Sequence, residues 1–160
     1  MPAEDRRVHR ATAAEAPAVA RLLHDFNSEF GVPTPAPAEL APLLGERIAS
    51  GEAIVHLANG GGAAGAAEPL GLAVTRLRPS LFSQRPVAYL EELYVAPPRR
   101  GEGLGRALLE AVVALAREID AERVELGTST GDVAARGLYE SAGFTNLEDG
   151  DTMLFYELEL

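Results

Sequence analysis

The sequence predicts an α/β fold of the α+β kind, with one sheet flanked by helices. Three observations carry that expectation. Apolar residues recur at helical spacing in three windows, β-rich runs lie between them, and most strands come as a block after a pair of helices. A chain of 160 residues has the length of one domain and can bury about two thirds or more of its unfolded surface, so a single domain over residues 1–160 is expected.

Taken in order, Arg7 to Arg10 reads as a first strand. Thr12-Ala-Ala-Glu15 then has the form of a capping box, in which side chains satisfy the first free amides of a helix. Val19, Leu22, Leu23, Phe26 and Phe30 follow at helical spacing and give that helix a core-facing stripe. Gly31-Val-Pro-Thr-Pro-Ala-Pro is a rigid loop. Leu40, Leu43, Leu44 and Ile48 predict a second helix, whose start Pro42 should delay or kink and which Gly51 can end. Ala53 to Leu57 is a strand, and the run of small residues from Asn59 to Ala67 is expected to be a mobile hairpin loop. Leu70 to Leu77 and Val87 to Val95 are further strands, joined by the loop from Pro79 to Pro86. Leu104, Leu108, Ala111, Leu115 and Ile119 mark a long amphipathic helix, after which Arg123 to Leu126 reads as a strand and Asp132 to Ala142 as a helix.

Composition narrows the function. With 24 Asp+Glu against 14 Lys+Arg, the net charge of -10 repels phosphate backbones, so nucleic acid is not an expected partner and small cationic amines are favoured. The absence of cysteine excludes disulfides, thiolate metal sites and any cysteine-linked covalent intermediate, and no metal site is expected. The first residues lack the layout of a secretory signal and the longest apolar stretches are interrupted by Glu110 and Arg117, so the expectation is a soluble cytoplasmic protein with no membrane partner.

The most informative stretch joins the strand ending at Val95 to the long helix. It passes through two prolines into Arg99-Arg100-Gly101-Glu102-Gly103-Leu104-Gly105-Arg106. Glycines at a helix start leave backbone amides pointing outward, where the helix dipole is positive and a phosphate can come close. Arg99, Arg100 and Arg106 concentrate cationic charge there. The spacing G-x-G-x-G is neither the dinucleotide fingerprint nor a P-loop, which disfavours a small NAD(P)-binding domain. A helix N-terminus with glycines for tight packing is the plain alternative to a pyrophosphate site.

Context decides between them. Arg100-Gly101-Glu102-Gly103-Leu104-Gly105 resembles the Q/R-x-x-G-x-G/A signature of the GNAT superfamily of acyl-CoA-dependent N-acyltransferases. Leu90-Glu-Glu-Leu-Tyr-Val95 is similar to that family's fourth strand, and Asp132-Val-Ala-Ala-Arg-Gly-Leu-Tyr-Glu-Ser-Ala-Gly-Phe144 to its second motif, N-x-x-A-x-x-x-Y-x-x-x-G-F. The likeness covers nearly the whole chain. It implies a central mixed, mostly antiparallel sheet flanked by helices, in the order β-α-α-β-β-β-α-β-α-β-β. Asp132 stands where the family commonly has Asn; it can still cap a helix, although it lacks the amide donor.

A second motif competes. Gly127-Thr128-Ser129-Thr130-Gly131 fits the G-x-S-x-G elbow of α/β-hydrolases, and it lies between a strand and a helix. That fold needs a histidine after the serine, but His9, His24 and His56 all precede Ser129. The stretch is therefore read as a strand exit followed by a helix cap.

The resemblance implies acetyl-CoA as co-substrate and direct attack of a primary amine on its thioester, with both substrates held together. The alternative is a non-enzymatic acyl-CoA-binding sensor. A protonated amine must lose a proton, and two glutamates in one strand are unusual enough to suggest a base. Strict alternation would put Glu91 on the face of Leu93 and Val95, and Glu92 on the opposite face with Leu90 and Tyr94. By resemblance to polyamine-type members Glu91 is preferred, with Glu92 second, and Tyr139 is the general acid for the leaving thiolate. The backbone of Leu93, Tyr94 and Val95 would bind the pantetheine arm. Arg100 and the amides of Gly101, Glu102, Gly103, Leu104, Gly105 and Arg106 would hold the pyrophosphate, with Asp132, Ala135 and Tyr139 also on the cofactor. Phe26, Asn27, Phe30, Phe82 and Glu91, with Ser80 and Arg85 nearby in sequence to Phe82, are the expected acceptor residues. The exposed aromatics could equally serve a homodimer.

Overall fold

The computed structural model describes residues 8–60 and 68–160. Its elements are β1 (Val8–Arg10), α1 (Ala16–Glu29), α2 (Pro37–Ser50), β2 (Ile54–Asn59), β3 (Pro69–Arg78), β4 (Val87–Val95), α3 (Leu104–Glu118), β5 (Arg123–Leu126), α4 (Val133–Ser141), β6 (Leu147–Glu148) and β7 (Asp151–Thr152). This is the order expected. Strands β1 to β5 form one mixed sheet in chain order, antiparallel from β1 through β4, while β6 and β7 form a separate hairpin. Arg7 and most of the expected 59–67 loop lie outside the described residues. The chain divides into two compact units, Met1–Glu125 and Leu126–Leu160.

In the first unit, one sheet face is covered by α1 and α2. Val19 and Leu22 pack on Val55, Leu57, Leu72, Val74 and Tyr94, and Leu23, Phe26, Leu44 and Ile48 close the edge of this cluster. The Thr12–Glu15 cap read from the sequence closes a 3-10 turn, Ala13–Glu15, that leads into α1: the Glu15 carboxylate accepts from the Thr12 amide at 2.9 Å, one half of a capping box. Two expectations need correction. Phe30 is the C-cap of α1 and is 64 % exposed, so the helical stripe ends at Phe26. Pro42 does not delay the start of α2, which begins at Pro37 and runs through Pro42; a proline with its fixed φ suits a first helical position, and one lost interior hydrogen bond is tolerated. Gly51 ends α2 in the left-handed conformation, as expected.

The other sheet face carries α3, whose Leu104, Leu108, Leu109, Val112 and Leu115 are buried. Gly71 lets β3, β4 and α3 come together. A Cβ there would sit 2.9 Å from the Tyr94 carbonyl oxygen and 3.3 Å from Leu108 Cδ1. Gly71→Ala is therefore expected to destabilise the protein by about 1–3 kcal/mol through overpacking, read as a lower midpoint in urea with unchanged slope.

His56 on β2 lies on this face, buried, with Nδ1 lacking a partner among the described residues. It lines a cavity of about 280 Å3 with Arg10 of β1 and Ala111, Leu115 and Glu118 of α3. Burial first, then the charges of Arg10 and His9, lower its pKa below the ordinary 6.5. The folded state thus binds this proton less readily than the unfolded one, and its contribution to stability is present above pH 6.5 and lost as pH falls through the lowered value. The melting temperature is expected to fall more steeply between pH 7 and pH 5 in the wild type than in His56→Leu, about the span over which histidine gains charge.

In the second unit, Asp132 caps α4, its Oδ1 accepting from the Ala135 amide at 3.1 Å. The GTSTG stretch is an exposed loop in which the Ser129 carbonyl accepts from the Asp132 amide at 3.2 Å. It leads from a strand into a helix cap, as read. Asp149 and Gly150, both left-handed, turn the β6–β7 hairpin.

Candidate active site

The expected alternation along β4 breaks at the two glutamates. Cross-strand partners run Val74↔Glu92 and then Thr75↔Leu90, so Glu91 is the extra residue of a β-bulge. Glu92 therefore shares the face of Val74, toward α1 and α2. Glu91 reaches Arg76, two residues on from Val74 and on that same face, at 3.5 Å, and Arg76 also holds Glu52 at 2.8 Å. Both carboxylates lie on one side of the sheet, not on opposite sides. Leu90, by contrast, faces α3 with Thr75 and is separated from Tyr94.

The two glutamates differ in surroundings. Glu91 is exposed and already has a cation, whereas Glu92 is half-buried and has neither hydrogen bond nor ion pair among the described residues. Burial, and then repulsion by Glu91, raises the Glu92 carboxyl above its ordinary range. A carboxylate of raised pKa without a partner is suited to accept a proton.

Beyond the bulge, the ring of Tyr94 stacks on Phe26 with centroids 5.1 Å apart, and Phe30 meets Phe26 edge-on at 5.4 Å. Burial and the neighbouring carboxylates Glu29 and Asp25 raise the Tyr94 phenol. Two guanidiniums, Arg100 and Arg21, act in the opposite direction, and they pair with Glu29 and Asp25 at 2.8 and 3.7 Å. Asn27 has a structural use: its amide donates to Thr34 Oγ1 at 2.7 Å, and its carbonyl accepts from the Val32 amide at 2.8 Å, which fixes the loop after α1.

After β4, a 3-10 turn at Pro97–Arg99 leads to Gly101 and Gly103, with φ of +81° and +83°. Only glycine adopts that conformation readily, and Gly103 is the N-cap of α3. The amides of Gly101, Glu102, Gly103, Leu104 and Gly105 have no acceptor among the described residues. A left-handed turn of free amides at a helix start matches the chemistry of a phosphate cradle. The arginines are less available than the sequence suggested. Arg99 pairs with Glu102 at 2.8 Å. Arg100 makes a two-pronged pair with Glu29, both contacts 2.8 Å, donates from Nε to the Val95 carbonyl at 2.9 Å, and lies 5.8 Å over the Tyr94 ring. Glu29 was not picked out as Arg100's partner, and no sequence signal links residues so far apart in the chain.

In the second unit, Tyr139 is buried on α4 with its ring 6.0 Å from that of Phe144. The Ala135 amide is taken by the Asp132 cap. In the first unit, Phe82 is 95 % exposed and makes no ring contact with Phe26 or Phe30. Its loop borders an open cavity of about 600 Å3 lined by Leu77, Ser80 and Gln84 among others. Arg85 is spent on holding that loop, donating to the carbonyls of Asp120 and Ala121 at 3.0 and 3.1 Å.

A helix pair over one face of a mixed sheet, with a bulge within β4 and an amide-rich turn between β4 and α3, defines an acyltransferase class of fold. The profile of the Acetyltransferase (GNAT) family matches residues 19–144, and the chain belongs to that family. It is 31 % identical over 156 residues to aminoglycoside N(6')-acetyltransferase type 1 of Stenotrophomonas maltophilia, covering 96 % of this chain and 93 % of that one. Among solved structures, an acetyltransferase-class chain from Arthrobacter sp. FB24 superposes with a TM-score of 0.86 at 44 % identity, covering 100 % of this chain and 99 % of the other. An aminoglycoside acetyltransferase from an uncultured soil metagenomic sample, in complex with sisomicin, shares the fold with a TM-score of 0.73 at 19 % identity over 95 % of each chain.

Proposed function

We propose that the chain, acting as one domain, is an N-acetyltransferase that moves an acetyl group from acetyl-CoA to a primary amine of a polycationic small molecule by direct attack in a ternary complex. The observation that carries this reading is Glu92, half-buried at the β4 bulge with a raised pKa and no cation of its own among the described residues. In this reading Glu92, in preference to Glu91, takes the amine proton. The amides of residues 101–105 hold the pyrophosphate, the β4 backbone near Val95 binds the pantetheine arm, and Tyr139 protonates the leaving thiolate. The half-buried Glu92 carboxylate and the chain's net charge of -10 suit a cationic acceptor, and the 31 % identical aminoglycoside enzyme supports that class.

The test is release of coenzyme A thiol from acetyl-CoA with a panel of amines: an aminoglycoside, a polyamine, an amino acid and a peptide. The protein contains no cysteine, so a thiol reagent reads only the product. Turnover is expected with the aminoglycoside, and Tyr139→Phe is expected to lower kcat by about 10²-fold or more while KM for acetyl-CoA stays nearly constant. Binding of acetyl-CoA without turnover on any amine would support the sensor instead. Absence of acetyl-CoA binding in calorimetry would overturn both.

A further inference from the structure

We propose that Arg76 sets the charge selectivity of the acceptor site. In the free chain its guanidinium takes, between Glu52 and Glu91, the place of a second ammonium group of the acceptor, and a dicationic acceptor binds by replacing it. This rests on Glu92 as the base, which puts the reacting amine next to that place on β4.

Strand β3 presents Leu72, Val74 and Arg76 on the face toward α1 and α2. Leu72 and Val74 are buried in the core cluster, whereas Arg76 stands where that apolar stripe ends, its side chain 33 % exposed. A partly buried cation needs carboxylates beside it. Arg76 Nη2 lies 2.8 Å from Glu52 Oε1 and Nη1 lies 3.5 Å from Glu91 Oε2, so one guanidinium bridges the turn before β2 and the bulge of β4. Arg47, in the last turn of α2, approaches Glu52 only to 3.8 Å. Glu52, Glu91 and Glu92 thus face Arg47 and Arg76, three carboxylates against two guanidiniums, which leaves one negative charge for one ammonium. With Arg76 turned away, two remain.

The exchange is open to Arg76 because both its partners are exposed carboxylates, and pairs of that kind contribute little each. Its long stem lets the guanidinium swing into water while the methylenes stay on the protein. The second ammonium of a diamine arrives tethered to the one held at Glu92, so it competes for Glu52 and Glu91 as a group already on the site. A monoamine has nothing to put there and leaves Arg76 in place. Arg76 is in this sense a specificity-determining residue that never touches the reacting atoms.

The test is calorimetric titration of 1,5-diaminopentane and of 1-aminopentane into the full chain saturated with coenzyme A, with acetyl transfer to the same two amines measured beside it. Ionic strength is held low and constant, since salt screens exposed pairs. Arg76→Gln is expected to tighten the diamine about 3- to 10-fold and lower its KM alike, while the monoamine affinity moves by less than about 2-fold and kcat stays close to wild type. Arg76→Lys, which retains the cation, is expected to behave as wild type, and adding Glu52→Gln to Arg76→Gln is expected to remove the gain. A larger gain for the diamine than for the monoamine, lost with Glu52→Gln, supports the exchange. An equal change for the two amines overturns it, as does a diamine that binds no more tightly to Arg76→Gln, the same gain in Arg76→Lys, or no binding of either amine. Selective binding without transfer to either amine supports the subsite and overturns Glu92 as the base. Normal transfer with no selective gain overturns the subsite alone.

Discussion

Glu92→Gln is expected to lower kcat/KM for amine acetylation by about 10²- to 10⁴-fold, the usual contribution of a general base, and to raise the melting temperature at neutral pH. The two effects have one cause. Burial and the charge of Glu91 hold the Glu92 proton more tightly than in the unfolded chain, whose carboxyl titrates near 4.5. Stability linked to this group is therefore complete below 4.5 and is lost as pH rises through the raised value. At pH 7 the ionised carboxylate burdens the fold, and a neutral amide of the same shape removes the burden along with the base. For the same reason kcat/KM of the wild type is expected to rise with pH through a limb displaced above 4.5. Glu91→Gln supplies the control. It loses an exposed pair with Arg76, worth little by itself, and removes the repulsion that raises Glu92, so activity should persist with the acid limb moved to lower pH. Equal kcat/KM in Glu92→Gln and wild type, across the pH range, would assign the proton to another group.

The order of elements and the bounds of β4 and β5 were legible because each rests on local pattern: period-2 and period-3.6 apolar spacing, turns and caps. The amide turn was legible for the same reason, since glycine placement reports directly on positive φ. Three features were not. The bulge at Glu91 depends on which residue of β3 pairs with which of β4, and a strand's own sequence does not carry its neighbour's register. The engagement of Arg100 by Glu29 joins the end of α1 to the turn before α3, and only tertiary packing brings them together. Phe30 fits the helical stripe by spacing, yet the helix stops one residue earlier, because its last turn is closed by the Phe30 amide donating to Asn27 and by the left-handed Gly31. Spacing finds the face of a helix more reliably than its end. The loop contacts of Asn27 and Arg85 were not legible for a related reason, since loop geometry is what sequence specifies least.

The double variant Gly101→Ala with Gly103→Ala is expected to weaken acetyl-CoA binding by roughly 30-fold to several-hundred-fold, measured by calorimetric titration. Neither position is crowded, for no described residue lies within 4 Å of a Cβ built at either one. The effect must therefore come from the backbone. With φ of +81° and +83°, each alanine costs about 1–2 kcal/mol in the conformation that aims the free amides outward, and about 1.4 kcal/mol is a factor of ten in affinity. The free protein escapes part of that cost by remodelling the turn, but binding must restore it, so affinity should suffer more than the melting temperature. Gly137→Ala separates this effect from a general response to added methyl groups. Gly137 lies inside α4 without positive φ and also has open space around its Cβ, so alanine there should stabilise the protein by roughly 0.5–1 kcal/mol and leave the acetyl-CoA affinity unchanged. If the double variant binds acetyl-CoA as tightly as the wild type, the amides of residues 101–105 do not hold the pyrophosphate, and the positive charge of Arg100 and Arg106 becomes the place to look.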